Sequence, residues 1–177
     1  MEPLAVAWHA VNMSPYKKGD SVLVLGGGPI GLAVIQCLEV KGCDNIIVSE
    51  VAPTRKEFAK EFGAHHVLDP TKEDIVSRVR EICGGQGANV AFDAAGAQAG
   101  LDQAILAIRA RGTLVNIAVW EKPVALHPND LVFRERKYMG VATYVEGDFQ
   151  AVIDAIASGE LRVQRYQRRG ADNEQAT

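Results

Sequence analysis

Two hydrophobic periods alternate along this chain, and each change of period marks an element. Both occur in "SVLVLGGGPIGLAVIQCLEVKG", residues 21–42. Val22, Leu23, Val24 and Leu25 are consecutive apolar residues, the pattern of a central parallel strand covered on both faces. After the glycines, helical spacing begins near Pro29 and stops at Gly42, a residue suited to the left-handed position that closes a helix. Upstream, "EPLAVAWHAVNM" puts Leu4, Trp8 and Val11 on one helical face, with Pro3 in its first turn.

The same alternation continues. Strands are predicted at 45–50, 65–69, 88–96, 112–120 and 137–144. Helices are predicted at 54–64 with Phe58 and Phe62 inward, at 72–85 with Ile75, Val79 and Ile82 inward, at 101–111 and at 148–159. Strands alternating with helices of this length predict an α/β fold, a doubly wound parallel sheet of the Rossmann type with about six strands. Right-handed crossovers then put a ligand at the carboxyl ends of the strands. Residues 19–160 read as that domain, and residues 1–18 as a helix and turn leading into it. The last stretch, "LRVQRYQRRGADNEQAT" (161–177), has almost no apolar periodicity and is expected to be disordered. Its Arg162, Arg165, Arg168 and Arg169 read as a solvated tail rather than an anion-binding arm.

Gly26, Gly28 and Gly31 fit G-x-G-x-x-G between a strand and a helix. The first permits a tight turn, the second lets backbone approach a pyrophosphate, and the third lets helix and strand pack closely. The helix start, including Pro29 and Ile30, offers unpaired N–H groups and the positive end of the dipole. Glu50 closes the second strand about 20 residues beyond Gly31, where a carboxylate accepts both ribose hydroxyls and repels a 2′-phosphate. That favours NAD over NADP. Arg55 complicates the choice because a guanidinium reaches a phosphate; with Glu50 present it is expected over the adenosine end. A methyltransferase cradle also combines a glycine turn with an acid after strand two, and FAD sites share the fingerprint. The extended glycine motif and the chain length favour a nicotinamide dinucleotide.

Composition narrows the partners. The 177 residues carry 22 acidic and 19 basic side chains, a net charge of −3, which argues against nucleic acid or an anionic membrane. Cys37, Cys43 and Cys83 lack paired spacing and read as free thiols. No apolar run reaches the roughly 18 residues of a membrane span, and the N-terminus lacks a signal-peptide pattern, so the expected location is cytoplasmic.

Several separate stretches now fall in one order. "EPLAVAWHAV", "GDSVLVLGGGPIGLAVIQ", "SEVAPTRKEFAKEFGAHHVLDP", "GANVAFDAAG" and "FRERKYMGVATY" together resemble the coenzyme domain of the zinc-dependent medium-chain alcohol and polyol dehydrogenases. The nearest branch is that of the 2,3-butanediol and sorbitol-type enzymes, and the resemblance covers residues 2 to about 161. It implies that Gly28 to Ile30 hold the pyrophosphate and that Glu50 and Arg55 hold the adenosine ribose region. It also implies that Ile117, Ala118 and Val119, with Val141, Ala142 and Thr143, sit beside the nicotinamide. Glu2 matches a carboxylate near the family's catalytic zinc. Family dimers pair across the edge of the sixth strand, here 137–144, so a homodimer or a mixed dimer with an intact homologue is implied.

In that family, zinc polarises the alcohol oxygen and is held by a separate catalytic domain. Nothing in this sequence matches that domain, and no residues here are expected to bind metal. His65 and His66 are adjacent in a strand and point to opposite faces, so with Asp69 they make a poor site. His9 and His127 each stand alone. The expected function is an NAD(H)-binding domain that does not oxidise alcohols by itself. The alternatives are a dehydrogenase of secondary alcohols or diols completed by another chain, and a dimerisation partner of an intact homologue. Separated from a catalytic domain, the helix carrying Trp8 is expected to contribute to an exposed apolar patch.

Overall fold

In the computed structural model, which describes residues 2–162, the chain forms six strands and seven helices. Residues 163–177, most of the tail expected to be disordered, lie outside the described residues. In chain order the elements are α1 (Glu2–Met13), β1 (Val22–Leu25), α2 (Pro29–Val40), β2 (Ile46–Ser49), α3 (Pro53–Glu61), β3 (His66–Leu68) and α4 (Ile75–Ile82). They continue with β4 (Ala88–Asp93), α5 (Gln98–Ala107), β5 (Ile108–Asn116), α6 (Pro128–Val132), β6 (Lys137–Gly140) and α7 (Glu146–Ala157). All pairings are parallel and the strand order is β3-β2-β1-β4-β5-β6. The direction of winding therefore reverses between β1 and β4, which opens a crevice at their carboxyl ends.

The central strand behaves as its sequence predicts. All four residues of β1 are buried, because helices cover both faces of the sheet. Val22 and Val24 join the core under α1 and α2, whereas Leu23 and Leu25 join the core under α4 and α5. Phe62 and Phe92 are among the largest fully buried side chains. Each such burial contributes roughly 1.5–3 kcal/mol.

Helix α1 is part of this core. Leu4, Ala7, Ala10 and Val11 are buried, and Trp8 is half-buried with the Lys41 ammonium 4.9 Å from its ring centroid. Packing of α2 and α7 against α1 covers much of this helix around Trp8. Its last residue, Met13, is exposed, as are Val51, Val119, Val132, Phe133 and Val145 elsewhere. Leu161 is likewise no part of a free tail: it is 2% exposed and its N–H bonds Ala155 O at 3.0 Å.

Three other boundaries differ from expectation. Helix α5 stops at Ala107, and β5 begins at Ile108 rather than at residue 112. The register jumps from Ala88↔Ile108 to Val90↔Thr113, so the residues between bulge out, with Arg111 at φ 61°. Strand β4 ends at Asp93, because its side chain turns the chain by accepting from Ala95 N and Gly96 N. Strand β6 ends at Gly140, short of the expected 144, and Thr143 then adopts φ 58°. Helix α6 was not expected from the pattern.

His9 does not stand alone. Its Nδ1 lies 2.6 Å from Asp148 Oδ2, and Asn12 Nδ2 donates to Asp148 Oδ1 at 3.1 Å, tying α1 to α7. Burial pushes the Asp148 carboxyl up, but the hydrogen bonds from Val145 N, Asn12 and His9 outweigh it and hold the group below its ordinary value. A carboxyl so lowered stabilises the fold above its unfolded pKa, and that stability fades as the pH falls through the folded value. Asp148→Ala is expected to cost about 2 kcal/mol in urea unfolding at pH 7. The difference from the parent should shrink below about pH 4.

Candidate functional site

Gly26 follows β1 with φ 88°, a conformation that L side chains rarely adopt, and its N–H bonds Ser49 O at 2.9 Å. The chain then reverses into α2. A β-carbon on Gly31 would stand 1.9 Å from Gly26 O, so only glycine lets the first turn of α2 sit on this turn. Around Gly28 the situation is the opposite: an added β-carbon would meet nothing within 4 Å. Gly28 therefore borders open space at the N-terminus of a 12-residue helix. Backbone N–H groups and the helix dipole favour a phosphate in that position.

Gly27, which the sequence motif leaves as a variable position, is also constrained, though less tightly than Gly31. Its N–H donates to Glu50 Oε2 at 2.6 Å, and an added β-carbon would lie 3.1 Å from Arg55 O and 3.2 Å from Glu50 Oε2. Glu50 is only 5% exposed. Its Oε1 accepts from Val51 N and Ala52 N, each at 2.8 Å, so the carboxylate joins the glycine turn to the loop after β2. Three backbone donors offset much of the cost of burying the charge. Arg55 Nη1 stands 4.0 Å from Oε2, with its side chain half exposed.

Gly26, Gly28, Glu50, Arg55, Thr71 and Ala95 are among the residues lining a cleft of about 440 Å³ at the β1/β4 crevice. That volume is in the range of small-molecule and cofactor sites. Pro29 and Ile30 belong to the helix start but do not line this cleft. A neighbouring cavity of about 520 Å³ shares Ala95 and is lined by Gly96, Val119 and Trp120 among others. Val119 is almost fully exposed there, while Ile117 and Ala118 are half-buried and donate to Asp93 O, each at 3.0 Å. Val141 N bonds Asn116 O at 3.0 Å, and Ala142 and Thr143 are exposed; none of these three lines either cavity. Glu2 is exposed in the first turn of α1, apart from both.

Sequence reasoning missed Gly27 and Asp93. For Gly27 the only signal was a third consecutive glycine; for Asp93 it was an acid inside an otherwise apolar strand. The residues present fit a dinucleotide: open space beside Gly28, a helix start behind it, and a buried carboxylate at the end of β2. They do not fit zinc. Among the described residues no three His, Cys, Asp or Glu side chains come together. His65 Nδ1 accepts from Ile46 N at 3.1 Å, and Asp69 pairs with Lys56 Nζ at 2.5 Å. Hydrogen bonds from Lys56 and Thr71 hold the Asp69 carboxyl well below its usual range. Cys37 is fully buried, and burial pushes its thiol up to about 12. No described helix is long and apolar enough to cross a membrane.

The glycine geometry predicts opposite outcomes for two neighbouring substitutions. Gly31→Ala is expected to cost at least about 3 kcal/mol in thermal or urea unfolding, since its β-carbon meets backbone. Gly28→Ala is expected to leave stability within about 0.5 kcal/mol of the parent.

Comparison with known proteins agrees with this architecture. The zinc-binding dehydrogenase family matches residues 29–158. The (R,R)-butanediol dehydrogenase of Saccharomyces cerevisiae (strain ATCC 204508 / S288c) is 41% identical over 170 residues, which is 93% of this chain and 44% of the yeast protein. The crystal structure of 2R,3R-butanediol dehydrogenase from Bacillus subtilis superposes with a TM-score of 0.86 at 38% identity, over 93% of this chain and 47% of that one. A protein from Sinorhizobium meliloti 1021 solved bound to NADP gives 0.85 at 31% identity, over 93% of this chain and 49% of that one. The chain thus spans less than half the length of these relatives. The glycine turn, the parallel sheet that carries it and the match over most of the chain together make this a member of the zinc-binding dehydrogenase family.

Proposed function

We propose that this chain binds NAD(H) as the coenzyme half of an alcohol or 2,3-butanediol type dehydrogenase, and that residues 1–18 lead into it from a zinc-holding catalytic half. The observation that carries this reading is the Glu50 carboxylate, buried at the end of β2 and held beside the glycine turn by Gly27 N. Bound there, NAD(H) supplies the hydride acceptor or donor. The N-terminus of α2, from Gly28 through Pro29 and Ile30, carries the pyrophosphate. Glu50 accepts the adenosine ribose hydroxyls and repels a 2′-phosphate, with Arg55 over the adenosine end. Ile117, Ala118 and Val119, with Val141, Ala142 and Thr143, form the nicotinamide side. In this reading the zinc that polarises the alcohol oxygen is held by that catalytic half and not by the described residues.

The test is a fluorescence titration of the chain with NADH and with NADPH, using Trp8 and Trp120 as donors. NADH is expected to bind at least about tenfold tighter than NADPH. Gly28→Ala should weaken NADH by about tenfold or more by filling the open space, and Glu50→Ala should weaken NADH and narrow the preference. Equal affinity for both coenzymes overturns the NAD assignment, and no saturable binding overturns the coenzyme reading. NADH formation from 2,3-butanediol by the purified chain with zinc supplied would instead favour a self-sufficient enzyme.

A second reading concerns partners. Among the described residues β6 pairs on one side only, with β5, and Val132 and Phe133 are exposed on the connection before it. An unpaired edge beside apolar side chains favours association with another copy or an intact homologue. Sedimentation is expected to show a dimer that Phe133→Glu dissociates; a monomeric parent at high concentration overturns this reading.

A further inference from the structure

The carboxylate of Asp93 is the least exposed of the buried acids, at 0%, yet only half of it is used. Oδ1 accepts from Ala95 N and Gly96 N, each at 3.0 Å, while Oδ2 has no hydrogen-bond partner among the described residues. Burial pushes this carboxyl up, and the two N–H groups only partly offset that. A half-satisfied buried carboxyl costs stability and calls for an explanation in what its satisfied oxygen holds.

Its position supplies one. Asp93 is the last residue of β4, paired in register with Leu25 of β1 and Asn116 of β5, at the point where the winding of the sheet reverses. Its side chain shapes the turn that follows, and its main-chain carbonyl accepts from Ile117 N and Ala118 N. The turn is wedged on both sides. A β-carbon on Gly26 would lie 3.2 Å from Ala95 Cβ, and one on Gly96, at φ 63°, would lie 3.3 Å from Ala118 Cβ. Ala95 also stands in the wall shared by the 440 Å³ and 520 Å³ cavities. Asp93 thus holds the turn after β4 and the end of β5, and that turn abuts the glycine turn through Ala95.

We propose that Asp93 is a positioning residue: its carboxylate holds the Ala95–Gly96 turn between the glycine turn and the end of β5, and so sets the width of the coenzyme cleft. This rests on the coenzyme reading above. Asp93 is not among the residues lining either cavity; it acts through the backbone it holds.

The experiment measures NADH affinity for the full chain with Asp93→Leu, which fills similar volume without an acceptor, and Asp93→Asn, which keeps one. Val79→Ala, in the buried core and not among the residues lining either cavity, serves as a control for lost stability. Asp93→Leu is expected to weaken NADH by at least about tenfold, Asp93→Asn to remain within about threefold of the parent, and Val79→Ala to keep parent affinity despite a lowered melting temperature. Rescue by Asn together with an unaffected control is an outcome that a merely structural role does not produce. Parent-like affinity in Asp93→Leu, or equal loss in Leu and Asn, overturns the proposal. Should Asp93→Leu fail to fold, Gly96→Ala strains the same turn with Asp93 intact. It is expected to weaken NADH similarly, and unchanged affinity there overturns the proposal as well. A parent chain that binds neither NADH nor NADPH removes the coenzyme reading itself, a result separate from any difference between variants.

Discussion

The carbonyl oxygen of Gly26 occupies the place where any β-carbon on residue 31 would stand, at 1.9 Å. That single contact sets how closely α2 approaches the end of β1, and much else depends on it. With α2 this low on the sheet, Leu32 and Ile35 reach the core beside Val22 and Val24. The helix start is then aimed at the crevice between β1 and β4, where its free N–H groups and dipole act. A larger residue at position 31 would lift the helix, loosen the core under α1 and α2, and turn the helix N-terminus away from the cleft together.

Carboxylates at successive strand ends complete the frame, and their surroundings make them different. Glu50 is buried but satisfied, with three backbone donors drawing the β2 loop onto the glycine turn. Asp69, after β3, is answered by Lys56 and Thr71 and behaves as an ordinary ion-paired acid. Asp93 is buried and half satisfied. The difference lies in the donors: three backbone N–H groups reach Glu50 across both of its oxygens, whereas two reach Asp93 and both meet the same oxygen.

Helices α1, α2 and α7 pack over one face of the sheet. Exposed apolar side chains occur at Met13 and Val51 as well as at Val119, Val132, Phe133 and Val145, which follow or flank β5 and β6.

Much of this was legible in one dimension. Four apolar residues without alternation identified β1 as a strand covered on both faces, because only a central parallel strand meets that demand. The glycine spacing and Glu50 marked the cleft, since backbone conformation and close approach restrict those positions to few residue types. Where contacts are not local, the pattern was silent. Helix α5 gives way to a strand at Ile108 because Ala88, twenty residues earlier, is already in the sheet beside it. His9 looked solitary because its partner, Asp148, is 139 positions away. Gly27 and Asp93 were passed over because what constrains them, Glu50 and Arg55 in one case and the end of β5 in the other, meets them only in the folded sheet. Local chemistry determined the elements, their order and the cradle. The tertiary structure decided which neighbours each buried polar group found, because the cost of burying a charge depends on atoms that only folding brings within hydrogen-bond distance.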